Sequence, residues 1–354
     1  MTSLLEKIKK QSRITGTDIL AESEFFKDIE LISTDVPMLN VAFSGDLDGG
    51  LAPGHNMFAG PSKHFKTSFA LLAAGAYLKK KEDSVLLFYD SEFGSPQDYF
   101  KSFGIDPGRV IHTPVMNIEE LKFDLIHQLE NIEKKDNVII IIDSIGNVAS
   151  KKEVEDAKNE SSKADMTRAK ALKSLFRMIT PYLKTKNIPL ITINHIYMEQ
   201  GLFPKAIVSG GTGAYYSADN IWIVGRRQDK SGKEIQGYHF VIRVEKSRFV
   251  RENSKIPISV SWEKGISKWS GLLDIALESG WVKKPKQGWY AVWDRENDCA
   301  IGKSFREADT DCKEFWQPIL GDPEFQAWIS HRYKISTQDM LEDADLDDLL
   351  NEED

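Results

Sequence analysis

The sequence predicts an α/β fold on a mostly parallel central sheet, preceded by a small helical element and followed by a small α+β domain. Three observations predict it. From about residue 33 to 280, apolar strand-like runs alternate with amphipathic stretches, the order of a sheet with covering helices. Two of those runs, VLLFYD (85–90) and VIIIID (138–143), are continuously apolar and end in Asp, as strands buried on both faces do. A third segment, GPSKHFKTS (60–68), lies between a strand and a helix and has the make-up of a phosphate loop.

The elements follow in order. Residues 1–32 form an N-terminal oligomerisation element: Leu4, Leu5 and Ile8 line one helical face, and Ala21 to Phe26 give a second short helix. It has too few apolar groups to fold alone, so it must dock on the core or on a neighbouring subunit. The core, residues 33–280, opens with the strand NMFAG (56–60) and a helix from Lys66 to Lys80. Helices from Asn117 to Lys134 and from Met166 to Lys186 flank the second Asp-ending strand, and PLITIN (189–194) is another buried strand. Shorter strands near 221–225, 238–246 and 256–262 are rich in β-branched and aromatic residues. Residues 281–335 change character, with Trp281, Trp289, Trp293, Trp316 and Trp328, and read as a separate C-terminal domain before a tail over 336–354.

Composition excludes several classes. No apolar run reaches the roughly 18 residues of a membrane span. The start, MTSLLEKIKKQSR, lacks the apolar core of a secretory signal, and two cysteines (Cys299 and Cys312) suit a reducing compartment, so a cytoplasmic protein is expected. The net charge of −8 does not exclude nucleic acid, because residues 339–354 hold nine Asp or Glu and no Lys or Arg. Without that arm the chain is close to neutral.

In the loop, Gly60, Pro61, Ser62, Lys63, His64, Phe65, Lys66, Thr67 and Ser68 are the candidate nucleotide cradle. Backbone N–H groups wrap the phosphates, Lys66 reaches the β and γ phosphates, and Thr67 ligates Mg²⁺. The following helix adds its positive N-terminal dipole. Phe65 occupies the place of the second glycine, where it is expected to take helical backbone geometry. Asp143, ending the VIIIID strand, has the position of a Walker B aspartate that holds Mg²⁺ through water. Together the two motifs predict a nucleotide-binding domain.

GPSKHFKTS, LLFYDSEFG, VIIIIDSIGNVASKKE, TINH, SGGTGAYYSADN and VEKSR occur in the order seen in the RecA recombinases, and the chain resembles that family over about residues 25 to 295. It is most similar to the phage UvsX branch, which also carries Phe for the second loop glycine. The resemblance implies a RecA-like core that forms helical filaments on single-stranded DNA and exchanges strands with double-stranded DNA, in recombination, repair and recombination-dependent replication. A mediator and a single-strand-binding protein are implied partners. Glu92 would activate the attacking water. Tyr99 would stack on adenine, though a core tyrosine fits equally. His195 stands where bacterial relatives have a γ-phosphate-sensing glutamine, and its charge near pH 6–7 would make that switch pH-dependent. Lys246 and Arg248 would reach the ATP of the adjoining subunit, as an arginine finger does.

Two loops are the implied DNA contacts. The first, Ala149 to Arg168, is polar and carries Lys151, Lys152, Lys158, Lys163 and Arg168. The second, Ile196 to Gly213, has Gly201, Gly210, Gly211, Thr212 and Gly213 for backbone approach, and Met198, Leu202 and Phe203 to insert between bases. In the C-terminal domain, WVKKPKQGWYAVW (281–293) reads either as a duplex-capturing patch or as a small core with lysines outside. The acidic tail would cover such a patch. Two other readings share the core motifs: a ring-shaped replicative helicase, and a mediator that binds ATP without turnover.

Overall fold

Continuous Val, Ile, Leu and Phe runs have one stable solution, a sheet covered on both faces, and the computed structural model has that architecture. It describes residues 4–23, 25, 29–158, 167–199, 201, 204–231 and 234–335. The core strands are β1 (Gly54–Ala59), β2 (Val85–Asp90), β3 (Val110–Pro114), β4 (Val138–Asp143) and β5 (Pro189–Asn194). After a short hairpin, β6 (Ile196–Met198) and β7 (Ala206–Val208), come β8 (Asn220–Ser231), β9 (Glu234–Lys246), β10 (Lys255–Ser261) and β11 (Gly265–Ile266). Among the described residues, nine of these form one sheet in the order β11-β10-β9-β8-β1-β5-β4-β2-β3. The run from β8 to β3 is parallel, and β9 to β11 continue it antiparallel.

The helices are α1 (Leu4–Gln11), α2 (Pro37–Ser44), α3 (Lys66–Lys80), α4 (Gln97–Ser102), α5 (Ile118–Asn131), α6 (Lys151–Lys158), α7 (Thr167–Thr185), α8 (Thr212–Ser217) and α9 (Leu272–Ser279). The period-2 pleat sorts each strand between two apolar layers. Ile139 and Ile141 of β4 join α2 and α3 on one face, while Val138, Ile140 and Ile142 join α5 and α7 on the other. Asn117 caps α5 by accepting from the Glu120 N–H at 3.0 Å, which fixes its start one residue inside the expected boundary.

Two expectations change, and of the two docking sites left open for the N-terminal element one is removed: Leu4, Leu5 and Ile8 of α1 are exposed, so this helix does not dock on its own core. The described part of Ala21–Phe26 forms turns instead of a helix. The first candidate DNA loop contains α6, begun by a capping box in which Ser150 and Glu153 bond each other's backbone N–H at 3.0 and 3.1 Å. That S-x-x-E signal was readable in the sequence. The Trp-rich segment forms the small C-terminal domain that the sequence predicts. It forms its own sheet of β12 (Val282–Lys286), β13 (Trp289–Asp294) and β14 (Cys299–Arg306), with α10 (Lys313–Leu320) and α11 (Pro323–Tyr333). Yet Trp281, Tyr290, Trp316, Phe325 and Tyr333 lie in the same apolar cluster as Val250 and Ile256 of the main sheet. Among the described residues, no helix is long and apolar enough to cross a membrane.

Candidate active site

The C-terminal ends of the parallel strands meet at one edge, where open α/β sheets bind ligands. Register puts Ala59 beside both Asn194 and Ile223, and Asp90 beside Asp143. The loop after β1 turns back over this edge into α3. Within it Lys63 and Phe65 have φ of 60° and 62°. Phe65 is therefore left-handed, not helical as its position at a helix start suggests. That conformation costs an L residue about 1–2 kcal/mol. Its ring offsets the strain by packing edge-on to Phe69, with centroids 5.4 Å apart, and stacking on Phe240 at 5.2 Å.

Lys66 is buried, and its ammonium bonds the carbonyls of Gly60 and Pro61 at 3.0 and 2.8 Å. Desolvation lowers its pKa, so an anion at this position would be strongly favoured. Thr67 donates to Asp143 Oδ2 at 2.7 Å, joining the two motifs the sequence set 76 residues apart. Burial raises the Asp143 carboxyl to about 6. Its Oδ1 is buried without a hydrogen-bond partner, as is the neighbouring Ser144 hydroxyl. A hydroxyl and an orphaned carboxylate oxygen form a hard oxygen donor set that fits Mg²⁺.

Glu92 stands across the cleft. Asp90 Oδ1 accepts from the backbone N–H groups of Glu92 and Phe93 at 2.9 and 2.7 Å, which fixes the turn after β2. Glu92 Oε1 lies 3.4 Å from His195 Nε2 and accepts from Asn147 Nδ2 at 3.0 Å. Its pKa is lowered, first by His195, which keeps it ionised. Tyr99 bonds the Ser68 hydroxyl at 2.6 Å and packs edge-on to Phe103, yet it lines the same cleft of about 410 Å³ as the loop, Glu92 and His195. Arg226, Tyr238 and Trp262 complete that cleft; no local motif marked them. Arg226 bonds the Lys63 carbonyl at 2.8 Å and lies over the Tyr238 ring.

Lys246 and Arg248 are elsewhere. A Cβ on Gly60 would lie 2.9 Å from the Val224 carbonyl, and Val224 pairs with Ile242 of β9. Lys246, the last residue of β9, is four residues further along and stands about 13 Å down the strand axis from the phosphate loop, and Arg248 follows just beyond the strand's end. Lys246 donates to the carbonyls of Tyr215 and Tyr216 at 3.1 and 3.0 Å, in the last turn of α8. Arg248 pairs with the buried Asp219, which also holds Lys184 at 2.7 Å.

Lys151 and Lys152 lie on the exposed face of α6. Arg168 departs from the expected DNA contact: its guanidinium donates to the carbonyls of Ile145, Gly146 and Val148 at 3.0, 2.7 and 2.9 Å. It fastens the turn after β4. Met198 is 56% exposed on β6, and Gly210 and Gly211 take φ of 93° and 78° before α8, where Thr212 is exposed. Leu202, Phe203, Lys163 and the acidic tail lie outside the described residues. In the C-terminal sheet the segment WVKKPKQGWYAVW has a small aromatic core with its lysines outside. Trp281 and Tyr290 are core, while Lys283, Lys284 and Lys286 are exposed and Lys284 lies 4.9 Å over the Tyr290 ring.

The RecA N-terminal domain family matches residues 1–267, and the C-terminal domain of the bacteriophage T4 recombination and repair protein matches residues 269–329. A recombination and repair protein of Enterobacteria phage T4 is 48% identical over 357 residues, 99% of this chain and 91% of the relative. Protein RecA of Syntrophus aciditrophicus is 26% identical over 77% of each chain, and that of Thioalkalivibrio sulfidiphilus 23% over 96% of this chain and 95% of the relative. With both parts of the chain matched, and nearly half its positions shared with the phage protein, the chain belongs to the RecA family of DNA recombination and repair proteins, in its phage UvsX branch.

Proposed function

We propose that this chain is an ATP-dependent recombinase that assembles as a helical filament on single-stranded DNA, hydrolyses ATP between subunits, and promotes homologous pairing and strand exchange. One observation carries the reading: the cleft holds Lys66, Arg226, Glu92 and His195 together, parts for phosphate binding and water activation, while Lys246 and Arg248, the further cations implied for the γ-phosphate, stand at the opposite end of the sheet. A second subunit stacked end to end would bring them in. The exposed apolar face of α1 supports such stacking, because Ile111 on the open edge strand β3 and the nearby Met116 and Phe123 offer a matching apolar surface.

In this reading Lys66 and the loop backbone hold the triphosphate, with Tyr99 against the base. Thr67 and Asp143 would hold Mg²⁺, which shields phosphate charge when bound. Glu92 accepts a proton from water as its oxygen bonds to the γ-phosphorus and the bridging bond to ADP breaks. Lys246 and Arg248 of the adjoining subunit stabilise the charge that builds on the γ oxygens. The loops around α6 and the β6–β7 hairpin hold the DNA backbone through Lys151, Lys152, Met198, Phe203, Gly210, Gly211 and Thr212, leaving base edges free to pair. Duplex DNA meets the lysines of the C-terminal sheet. The protein would work in the host-cell cytoplasm beside a mediator and a single-strand-binding protein.

ATP hydrolysis measured with and without single-stranded DNA, across a protein concentration series, tests this. Strong stimulation that rises cooperatively with concentration is expected. Weak, DNA-independent turnover would overturn the recombinase reading, and closed rings under microscopy in place of filaments would favour a helicase.

A further inference from the structure

Glu92 is gripped on one oxygen. Asn147 donates to Oε1 at 3.0 Å and His195 Nε2 lies 3.4 Å from the same atom. An orienting grip of this kind sets which lone pairs of the carboxylate meet a water. Asn147 is a neutral donor, so it orients the group without pairing a full charge against it.

The turn that carries Asn147 is itself fastened. Arg168, in the first turn of α7, holds the carbonyls of Ile145, Gly146 and Val148 on both sides of Asn147. Gly146 matters here because a Cβ would lie 2.5 Å from His195 Cδ2, so the imidazole rests against bare backbone. One arm thus runs from the end of the first candidate DNA loop, through Arg168 and the 145–148 turn, to Glu92. The other runs from Ser209, near the end of the second loop: Asn194 Nδ2 donates to the Ser209 carbonyl and Asn194 Oδ1 accepts from the His195 N–H, each at 2.8 Å.

We propose that Asn147 is a positioning residue for Glu92, and that Arg168 locks it in place, so that the state of the first DNA-binding loop sets the orientation of the water-activating carboxylate. This rests on the role proposed above for Glu92. It gives the site two inputs, one from each loop, meeting on one carboxylate oxygen.

The test is steady-state ATP hydrolysis by the full chain at saturating single-stranded DNA, as a function of pH. Asn147→Ala should lower kcat about tenfold, since a displaced group loses its alignment, with the KM for ATP changed by less than about twofold. Asn147→Asp should move the acid limb of the kcat profile to higher pH, because a second carboxylate beside Glu92 disfavours its charged form. The other ionisable groups facing Glu92 are Lys66 at the start of α3, Asp143 at the end of β4 and His195 after β5, all unchanged in that variant. Arg168→Lys, which cannot fork across three carbonyls, should lower kcat while leaving ATP-analogue binding intact. Glu92→Gln separates the two claims. If it hydrolyses ATP at the wild-type rate, the role of Glu92 falls. If it is slow but Asn147→Ala keeps the wild-type kcat, or Asn147→Asp leaves the acid limb in place, the positioning proposal is overturned and Glu92 keeps its role. An equal further loss from Asn147→Ala in the Glu92→Gln background would also overturn it.

Discussion

Replacing Phe65 by Gly and, separately, by Ala removes the same ring, so the difference between the two variants isolates the backbone. Position 65 has φ 62° and ψ 16°. An alanine there costs about 1–2 kcal/mol relative to the right-handed region. Glycine avoids that cost but loses about 0.5–1 kcal/mol more in chain entropy on folding. The glycine variant should therefore be the more stable by about 0.5–1 kcal/mol, the reverse of the usual order at a helix. Both should fall below the wild type, because the contacts with Phe69 and Phe240 are worth about 0.5–1.5 kcal/mol each. The assay is urea unfolding of the nucleotide-free protein, followed by circular dichroism. With a slope of about 3 kcal/mol/M for a chain of this length, the midpoints should differ by about 0.2–0.3 M. Equal midpoints, or a higher one for alanine, would refute the left-handed assignment and the account of why the loop tolerates Phe.

Other outcomes follow from the same geometry. The Asp143 carboxyl, raised to about 6, contributes fully to the folded state below its ordinary value of 3.8, loses that contribution as pH rises from there through 6, and above 6 its buried charge opposes folding. Asp143→Asn should thus raise the melting temperature of the nucleotide-free protein at pH 8, by a stability gain of about 2–3 kcal/mol, and leave it unchanged near pH 4. His55 is the opposite case: buried, stacked on Phe176 and bonded to Thr192 at 2.8 Å, it is held neutral with a pKa lowered to about 3. Its contribution is full above about pH 6.5 and lost as pH falls toward 3, so His55→Gln should flatten the acid side of the stability profile. Lys66→Ala and Lys246→Ala should each abolish turnover alone, yet equal mixtures should recover part of it on DNA, because each subunit lends what the other lacks. No recovery would count against a shared site. Deleting residues 339–354 should strengthen duplex binding at low salt, read by fluorescence anisotropy, and unchanged affinity would remove the tail from the account.

Much of this molecule is determined along the chain. Strand and helix order, the buried character of β2, β4 and β5, the loop from Gly60 to Ser68 and the two strand-end aspartates are all legible, because each depends on periodicity or on residues a few positions apart. The capping box of Ser150 and Glu153 was legible in the same way, although the charge of that segment suggested a loop. What the sequence does not determine is where unlike elements meet. Asn147, Glu92 and His195 follow three different strands, and only the register of β2, β4 and β5 brings them to one carboxylate oxygen. Arg168 reads as a free cation until the path of α7 turns its guanidinium onto the 145–148 carbonyls. The left-handed turn at Phe65 depends on Phe240, far along the chain, to receive its ring. Lys246 and Arg248, proposed above to serve a neighbouring subunit's nucleotide, stand at the other end of the sheet from the phosphate loop, because an antiparallel strand runs back from the edge at which that loop stands. Local patterns report what a residue does to its own segment; a site assembled across strands depends on pairing and loop course, which no short window of sequence contains.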